Sequence, residues 1–425
     1  MRFDLLIKGG EVVDPGAGYS GKMDIAVTRN RIAAVEPHIP AESAFRVVDA
    51  TGEYVTPGLI DMHAHVYEGF GYWGVNADAI GSRSGVTTWA DAGSTGAVVL
   101  QGFRDHIINR SKVKIYAFVN IAYTGLIGQD YELSVNEYCN VEALKLVANQ
   151  NRDIIVGIKI RAGISGGAKN LVPFQRARHA ADELELPIMV HLSTAPPDLE
   201  TVLGFLKPGD IITHCYTGQD MRLVDPDKNL RRAAKKVLDE GVILDLGHGA
   251  ASLSFDSAEA LIKQGVWPHV VSTDLHHLSI VGPNLVLDDP SKGHVFGDRS
   301  MVHDAGSIVV RVRGGKWEPV FNLLTCIDKM LFLGMSFPEI VRATTAHPAE
   351  IMRLKGEVGT LKPGARADIA GFVIDKADVE LRDIHGQVRR GKQKIRNTFT
   401  ILEGRSFEPI EIPGPPPWIR IVNGD

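Results

Sequence analysis

The amino-acid sequence predicts an α/β fold, in which a (β/α)8 TIM-like barrel is accompanied by a small composite β-sandwich domain built from both termini. Three observations predict it. From residue 57 onward, short apolar runs alternate with stretches of helical spacing; strand-like segments occupy both ends of the chain; and 44 Gly and 22 Pro residues can supply many short loops. A doubly wound open sheet is the rival architecture, because periodicity alone does not distinguish the two.

Composition excludes several classes of protein. Of the 425 residues, 44% are apolar and 23% charged, as in ordinary globular proteins. Lys and Arg number 46 against 51 Asp and Glu, a net charge of −5 that leaves no basic excess for nucleic acid. No signal-peptide pattern or apolar run of about 20 residues is found, so no membrane partner is expected. Three cysteines indicate a reducing compartment, and we expect a cytoplasmic protein. A homo-oligomer is left open.

The first 54 residues are typical of short strands separated by turns, with turns expected at Gly9-Gly10, Asp14-Pro15-Gly16 and Arg29-Asn30. Strand-like segments return near Asp368–Val373 and Asn397–Leu402. We therefore predict a composite β domain made of residues 1–54 and 351–425, with residues 55–350 forming the barrel. The Pro-rich segment 412–418 is interpreted as an extended strap, because proline fixes φ and has no backbone donor.

Eight apolar runs of strand length follow one another between residues 58 and 274, each followed by a longer stretch with helical spacing. Such runs are typical of parallel strands that are buried on both faces. They are 58–63, 86–91, 114–120, 154–159, 187–191, 211–214, 242–246 and 270–274. Beyond them the sequence predicts a long loop to about residue 318, of which 280–313 could be a lid, and a helix over 337–350.

Several of these runs end in a residue that binds metal ions well. The carboxyl ends of barrel strands meet on one face, so these side chains should share one pocket. In His63-Ala64-His65 the two imidazoles are two residues apart on an extended chain and point to the same side. The full set of predicted ligands is His63, His65, Lys159, His191, His214 and Asp274.

Lys159 is the least expected member of this set. Apolar residues of its strand precede it and Ile160 follows it, so an unpaired ammonium would lie in the barrel wall. Removing such a charge from water costs several kcal/mol. The sequence therefore requires that a ligand or a modification neutralise this amine.

The order His-x-His, Lys, His, His, Asp on successive strands resembles the amidohydrolase superfamily, in its subgroup with a binuclear metal centre and a carboxylated lysine. The resemblance extends over nearly the whole chain, including the segments 54–65, 345–349 and 359–369. The stretch His65–Gly69, with Gly85–Thr88 and Asp91–Ser94, is most similar to the bacterial amidohydrolase/deacetylase branch related to the dihydroorotases.

The resemblance implies a role for each of these residues. His63 and His65 would bind the buried ion and His191 and His214 the more exposed one. Lys159, as N6-carboxylysine, would bridge the two, and Asp274 would bind the first ion. Zinc suits this histidine-rich set, although manganese, iron or cobalt could also fill it. A bridging hydroxide would attack the scissile carbonyl, and Asp274 would be the catalytic proton carrier.

The expected reaction is hydrolysis of an ester or amide in a small-molecule substrate. A deacetylase acting on an O-acetyl 2-hydroxy acid or an N-acetyl amino acid is favoured. Hydantoinase-like or dihydroorotase-like ring opening is the alternative, but Tyr67 stands where dihydroorotases typically carry a substrate-binding Arg. A metal-free interaction scaffold is the alternative of another class, and such scaffolds lose ligands that this chain retains. Tyr123 and His248, each after a predicted strand, are candidate substrate residues.

Overall fold

The computed structural model describes residues 2–250, 252–277, 279 and 321–414, together with the backbone of five further strands. The amino-terminal part consists of strands joined by short turns and one 3-10 turn at Ala41–Ser43. The strands are β1 (Phe3–Asp14), β2 (Tyr19–Thr28), β3 (Arg31–Glu36), β4 (Ala44–Asp49) and β5 (Tyr54–Pro57).

Strands and helices alternate in the central part of the chain. The strands are β6 (Leu59–Ala64), β7 (Val86–Gly96), β8 (Lys114–Asn120), β9 (Ile155–Arg161), β10 (Ile188–His191), β11 (Ile211–Thr213) and β12 (Ile243–Leu244). The helices are α1 (Ala77–Gly81), α2 (Leu100–Phe103), α3 (Val141–Gln150), α4 (Val172–Leu184), α5 (Leu199–Leu203), α6 (Arg232–Asp239) and α7 (Phe255–Ile262). A π-helical turn, Arg104–Ile108, extends α2, and a 3-10 turn, Asn136–Tyr138, precedes α3.

In the described carboxyl-terminal part of the chain, four strands are followed by three helices and four more strands. The first strands are β13 (Val286–Asp289), β14 (Gly293–Phe296), β15 (Arg299–Asp304) and β16 (Ser307–Arg313). The helices are α8 (Leu323–Leu333), α9 (Phe337–Thr344) and α10 (Ala346–Ile351). The last strands are β17 (Ile369–Arg382), β18 (Val388–Leu402), β19 (Arg405–Ser406) and β20 (Ile419–Gly424).

The central strands form one curled parallel sheet. Its order, β12-β11-β10-β9-β8-β7-β6, follows the chain, so the predicted strand-helix alternation is confirmed as an α/β fold. The eighth predicted run contains no regular strand. Val270 forms a parallel bridge to Asp245 at one edge of the sheet and Leu275 forms one to Ala64 at the other.

Strands from both ends of the chain share a second, mixed sheet. Its order is β19-β18-β17-β5-β1-β2-β3. The remaining strand, β4, also pairs with β1 and lies outside this linear order. The antiparallel pairing of β17 with β5 joins the two ends of the chain immediately before β6 begins. The expected mixture of amino-terminal and carboxyl-terminal strands is therefore present. The sandwich arrangement and the domain boundaries stay predictions.

Two turn and loop predictions are wrong. No turn occurs at Gly9-Gly10, because β1 runs through both residues and absorbs the φ of +76° at Gly9 as a bulge between Ile7 and Gly10. The predicted loop at 280–313 contains strands β13 to β16, a mostly antiparallel sheet to which β20 adds in parallel. The alternating β-branched run at 307–313 indicated a strand that the loop interpretation overlooked.

Other local predictions need smaller corrections. The helix predicted over 337–350 is divided at Thr345, whose φ and ψ are −137° and −79°. In the predicted strap, residues 412–414 are irregular and 415–418 lie outside the described residues. Among the helices in the described part of the chain, none is both long and apolar enough to cross a membrane.

Candidate metal centre

The six predicted ligands come together at the carboxyl end of the parallel sheet. Five of them lie in or just after strands β6, β9, β10 and β11, and Asp274 lies in the segment that bridges both sheet edges. His63, His65, Lys159, His214 and Asp274 are buried, while His191 is partly exposed. This convergence is the geometry that a parallel sheet imposes on strand-end residues.

Asp274 lies between two histidine pairs. Its Oδ1 lies 3.2 Å from Nε2 of His63 and 3.1 Å from Nε2 of His65, and its Oδ2 lies 3.8 Å from Nε2 of His214. The second pair is also close, with 2.7 Å between Nε2 of His214 and Nδ1 of His191. His63, His65 and Asp274 can each turn one ligand atom toward a common ion.

Hydrogen bonds behind the ligands determine which imidazole nitrogen faces inward. Nδ1 of His214 lies 2.5 Å from the Gly247 carbonyl oxygen, which can only accept, so this nitrogen carries the proton and Nε2 keeps its lone pair. Nδ1 of His63 lies 2.7 Å from the hydroxyl of Thr213, which donates its own proton to Asp245, and 3.2 Å from Oδ2 of Asp245, so this nitrogen is also the donor. Such partners orient metal ligands and raise their basicity.

Ser94 supports His65 in the same way, with 2.9 Å between its Oγ and Nδ1 of the imidazole. We expect Ser94→Ala to weaken metal binding by about 10-fold to 100-fold, because His65 loses its orienting partner. Competition with a chromophoric chelator measures the affinity. The matched control is Ser84→Ala, since the Ser84 hydroxyl is equally buried but bonds only the Ile80 carbonyl in α1. Equal affinities for the two variants would contradict the role of Ser94.

Three buried acids beneath the ligands were missed by the sequence analysis. Asp61 accepts hydrogen bonds from the backbone and hydroxyl of Thr273, next to Asp274. Asp91 accepts the backbone N–H groups of Val66 and Ser94 at 2.8 Å each. Asp245 accepts from Thr213 and Ser272 as well as lying beside His63. An isolated carboxylate inside an apolar strand run was the available signal.

Lys159 is the buried cation that the sequence identified. Only 1% of the residue is exposed, and Nζ lies 3.0 Å from Nε2 of His63 and 3.6 Å from Sδ of Met189. Within the described residues no carboxylate oxygen lies within ion-pair distance of it. Burial lowers the pKa of Lys159 to about 8, so a neutral amine is accessible. A carbamate at this nitrogen would replace an unpaired ammonium with oxygen donors.

The protonation states of these side chains favour the binding of a metal cation between them. Burial lowers the pKa of His214 to about 3 and that of His191 well below its ordinary value, which leaves both imidazoles neutral. Burial alone would raise the pKa of Asp274. The neighbouring histidines, by charge and hydrogen bonds, instead hold it well below its ordinary value, so the carboxylate is ionised. Neutral imidazoles beside an ionised carboxylate are the donor set of a divalent metal site.

A cavity of about 330 Å³ opens over these ligands. Its lining includes the apolar side chains of Trp73, Leu126 and Ile164 and the polar side chains of Ser193 and Gln219. His276 also lines the cavity, 4.6 Å from Trp73 between ring centres, and its Nδ1 accepts the backbone N–H of Ser279. This volume suits a small substrate rather than a polymer.

The two predicted substrate residues are not among the residues that line this cavity. Tyr123 packs against Tyr138 with ring centres 4.8 Å apart. His248 is completely buried and lies 2.7 Å from Nζ of Lys329. Positive φ angles at Gly247 and Gly249, +44° and +59°, turn the chain on both sides of this ring, a conformation that the sequence did not reveal.

Arg161 is a cavity residue that the sequence analysis missed. It lies two residues after Lys159 in β9 and therefore on the same face of that strand. It is 6% exposed and forms a two-pronged ion pair with Glu132, at 2.8 and 2.6 Å. A Lys-x-Arg pattern at a strand end was the signal that could have found it.

Comparisons with known proteins agree with this geometry. The family model described as "Amidohydrolase family" matches residues 54–394. A deacetylase of Agrobacterium fabrum (strain C58) is 32% identical over 390 residues, covering 91% of this chain and 87% of that protein. Crystal structures titled as an adenine deaminase and a dihydroorotase each share 30% identity. The first gives a TM-score of 0.81, covering 96% of this chain and 100% of that one, and the second gives 0.80, covering 97% and 99%.

Six side chains of the predicted ligand set lie together at the carboxyl end of a parallel sheet. The family model matches most of the chain, and the deacetylase relative is 32% identical over 91% of it. The chain therefore belongs to the amidohydrolase family and is a metal-dependent hydrolase.

Proposed function

We propose that this protein is a deacetylase that hydrolyses the ester or amide bond of a small acetylated acid, either an O-acetyl 2-hydroxy acid or an N-acetyl amino acid. The observation that carries the proposal is the position of Asp274, whose two oxygens face two histidine pairs. Beside it lies the buried Lys159, which has no carboxylate at ion-pair distance within the described residues. The similarity to a protein named deacetylase supports the acyl group. The small cavity supports the size of the substrate.

Two divalent ions, with zinc expected, would be held by the predicted set. His63, His65 and Asp274 would hold one ion, His191 and His214 the other, and Lys159 as N6-carboxylysine would contact both. Bound there, such ions supply Lewis acidity toward a water molecule and a carbonyl group. The proposal includes a closed (β/α)8 barrel in which residues 270–275 complete the ring, since they bridge both sheet edges.

We assign the proton transfer to Asp274. Its carboxylate is ionised and lies among the histidines of the predicted ligand set, where it would be within reach of a water molecule that attacks a bound carbonyl carbon. It takes one proton from that water and delivers it to the departing amine or alkoxide. Water is consumed, the acyl–N or acyl–O bond breaks, and acetate and the free amino or hydroxy acid are released.

A substrate panel tests the proposal. Purified protein loaded with zinc or manganese is assayed for acetate release from both enantiomers of N-acetylalanine and O-acetyllactate, and for ring opening of hydantoin and dihydroorotate. We expect turnover of the acetylated acids. Ring opening without deacetylation would replace the proposal with the cyclic amidohydrolase function. Absence of bound metal in protein purified without chelator would instead favour the interaction scaffold.

A further inference from the structure

Arg161 offers one unused edge of its guanidinium to the cavity above the metal ligands. Glu132 accepts from Nε and Nη2, and Nη2 also points to the Gln129 carbonyl oxygen at 3.2 Å. Within the described residues Nη1 has no acceptor, although the residue is only 6% exposed and lines the cavity. Nη1 is open to the cavity rather than enclosed by protein, so its N–H donors are available to a ligand that enters there.

The position of Arg161 connects this edge to the reaction site. In the parallel pairing of β9 with β10, Arg161 is the register partner of His191. Lys159 lies two residues earlier on the same strand, so the guanidinium is on the level of the predicted ligands and on their side of the sheet. An acyl group held at the metal ligands therefore has the rest of its molecule within reach of Nη1.

Glu132 and Asp130 restrict which ligands can bind the guanidinium of Arg161 and which of its N–H groups those ligands can reach. Glu132 holds the guanidinium by its Nε–Nη2 edge, and Asp130 lies 4.0 Å from Nη2 on that same edge. A guanidinium held in this way keeps Nη1 in a fixed orientation, from which it can give a charge-assisted hydrogen bond to an anion. A carboxylate fits these donors, whereas a carboxamide would present a neutral, weaker acceptor.

We infer that the Nη1 edge of Arg161 is the carboxylate-binding subsite and selects substrates whose acylated carbon carries a carboxylate. This inference rests on the proposed deacetylase function and adds the residue that recognises the substrate carboxylate, with the consequence that esters and amides of these acids are poor substrates. Arg161 binds the substrate, and Glu132 is a positioning residue that keeps the guanidinium turned toward the cavity.

The test compares a carboxylate with its neutral analogue in the same variants. Acetate release from N-acetylalanine and from N-acetylalaninamide is measured for wild type and for Arg161→Gln. Wild type should prefer the acid on the order of 10-fold to 100-fold in kcat/KM, since a charge-assisted hydrogen bond is lost with the amide. In Arg161→Gln the acid should lose most of that factor and the amide little, so the preference collapses.

Two further variants separate recognition from structure. Asp130→Asn should raise the preference for the acid over the amide in kcat/KM, because a negative charge near Arg161 is removed. Arg176→Gln is the matched control. This partly buried arginine donates to the Cys139 carbonyl in the connection between β8 and α3, the connection that also contains Asp130 and Glu132, and it does not line the cavity. This variant should prefer the acid over the amide by the same factor as wild type.

The outcomes distinguish failure of the proposed deacetylase function from failure of the carboxylate subsite alone. If wild type hydrolyses neither compound nor any acetylated acid of the panel, the deacetylase function fails. If wild type hydrolyses both compounds equally well, or if Arg161→Gln slows both by the same factor, the function stands and the carboxylate subsite is overturned.

Discussion

Asp274→Asn is expected to lower kcat by a factor on the order of 10² to 10⁴, the range that a positioned general base contributes. Asparagine keeps an oxygen that can contact a metal ion, so His63, His65 and the other ligands should still retain metal. It cannot accept a proton from the attacking water. The measurement combines steady-state kinetics with the metal content per chain by mass spectrometry.

The control for this experiment is Asp198→Asn, the same chemical change at the first residue before α5. Asp198 caps the helix by accepting the backbone N–H of Thr201, a role that asparagine also performs, and it is remote from the cavity lining. Near-normal kcat in Asp274→Asn with full metal content would exclude the proton-carrying role. Loss of metal together with activity would mean that Asp274 acts mainly as a ligand.

Lys159→Met should produce the second large effect, loss of most of the bound metal and with it most of the activity. Methionine fills similar space but cannot form a carbamate, so two ions would be left without their shared oxygen donors. In wild type, we expect the neutral amine and CO₂ to combine and give a carbamate and one proton. Mass spectrometry of the native protein should therefore show one added CO₂, absent from the variant. A variant that keeps both ions and normal turnover would contradict the bridging role.

Lys329→Met is the control for that variant, because Lys329 is also 1% exposed but bonds His248 and lies outside the ligand cluster. It should retain the metal and the added CO₂. Metal reconstitution of chelated wild type should also be faster with bicarbonate present and should accelerate as the pH rises through about 8, where the buried amine loses its proton. Reconstitution indifferent to bicarbonate would argue against the carbamate.

Lys159→Met is also expected to change the free energy of unfolding of the metal-free protein. Although the substitution should abolish metal binding, it should not destabilise the metal-free fold. The pKa of Lys159 is lowered by burial, to about 8, so the unfolded chain binds the proton more tightly than the folded one. The amine therefore destabilises the fold fully below pH 8, and this effect fades as the pH rises toward the ordinary lysine pKa of about 10.4. Denaturant titrations should find chelated Lys159→Met at least as stable as chelated wild type at pH 7. A much less stable variant would mean that the lysine is paired.

Local periodicity predicted the strands best where one pattern dominates a short segment. The run 114–120 coincides with β8, since a continuous apolar stretch lies between Lys114 and Asn120 with no competing turn signal. The pattern was wrong at Gly9-Gly10, where the glycines belong to a bulge inside β1, because a positive φ is compatible with a bulge as well as with a turn. It also missed that residues 270–275 make only isolated bridges, which depend on strands far away in sequence.

The sequence by itself determined which six side chains would be predicted as ligands, because a residue type at a strand end indicates both its chemistry and its position on the sheet. It also determined that Lys159 needs a partner, since the apolar run around it implies burial. Only the tertiary structure decided which nitrogen of each histidine faces inward and which side chains line the cavity. Those choices depend on contacts such as His63 with Asp245, 182 residues apart, and Arg161 with Glu132, 29 residues apart. No local pattern encodes such pairs, because they arise only when separate strands and loops pack together.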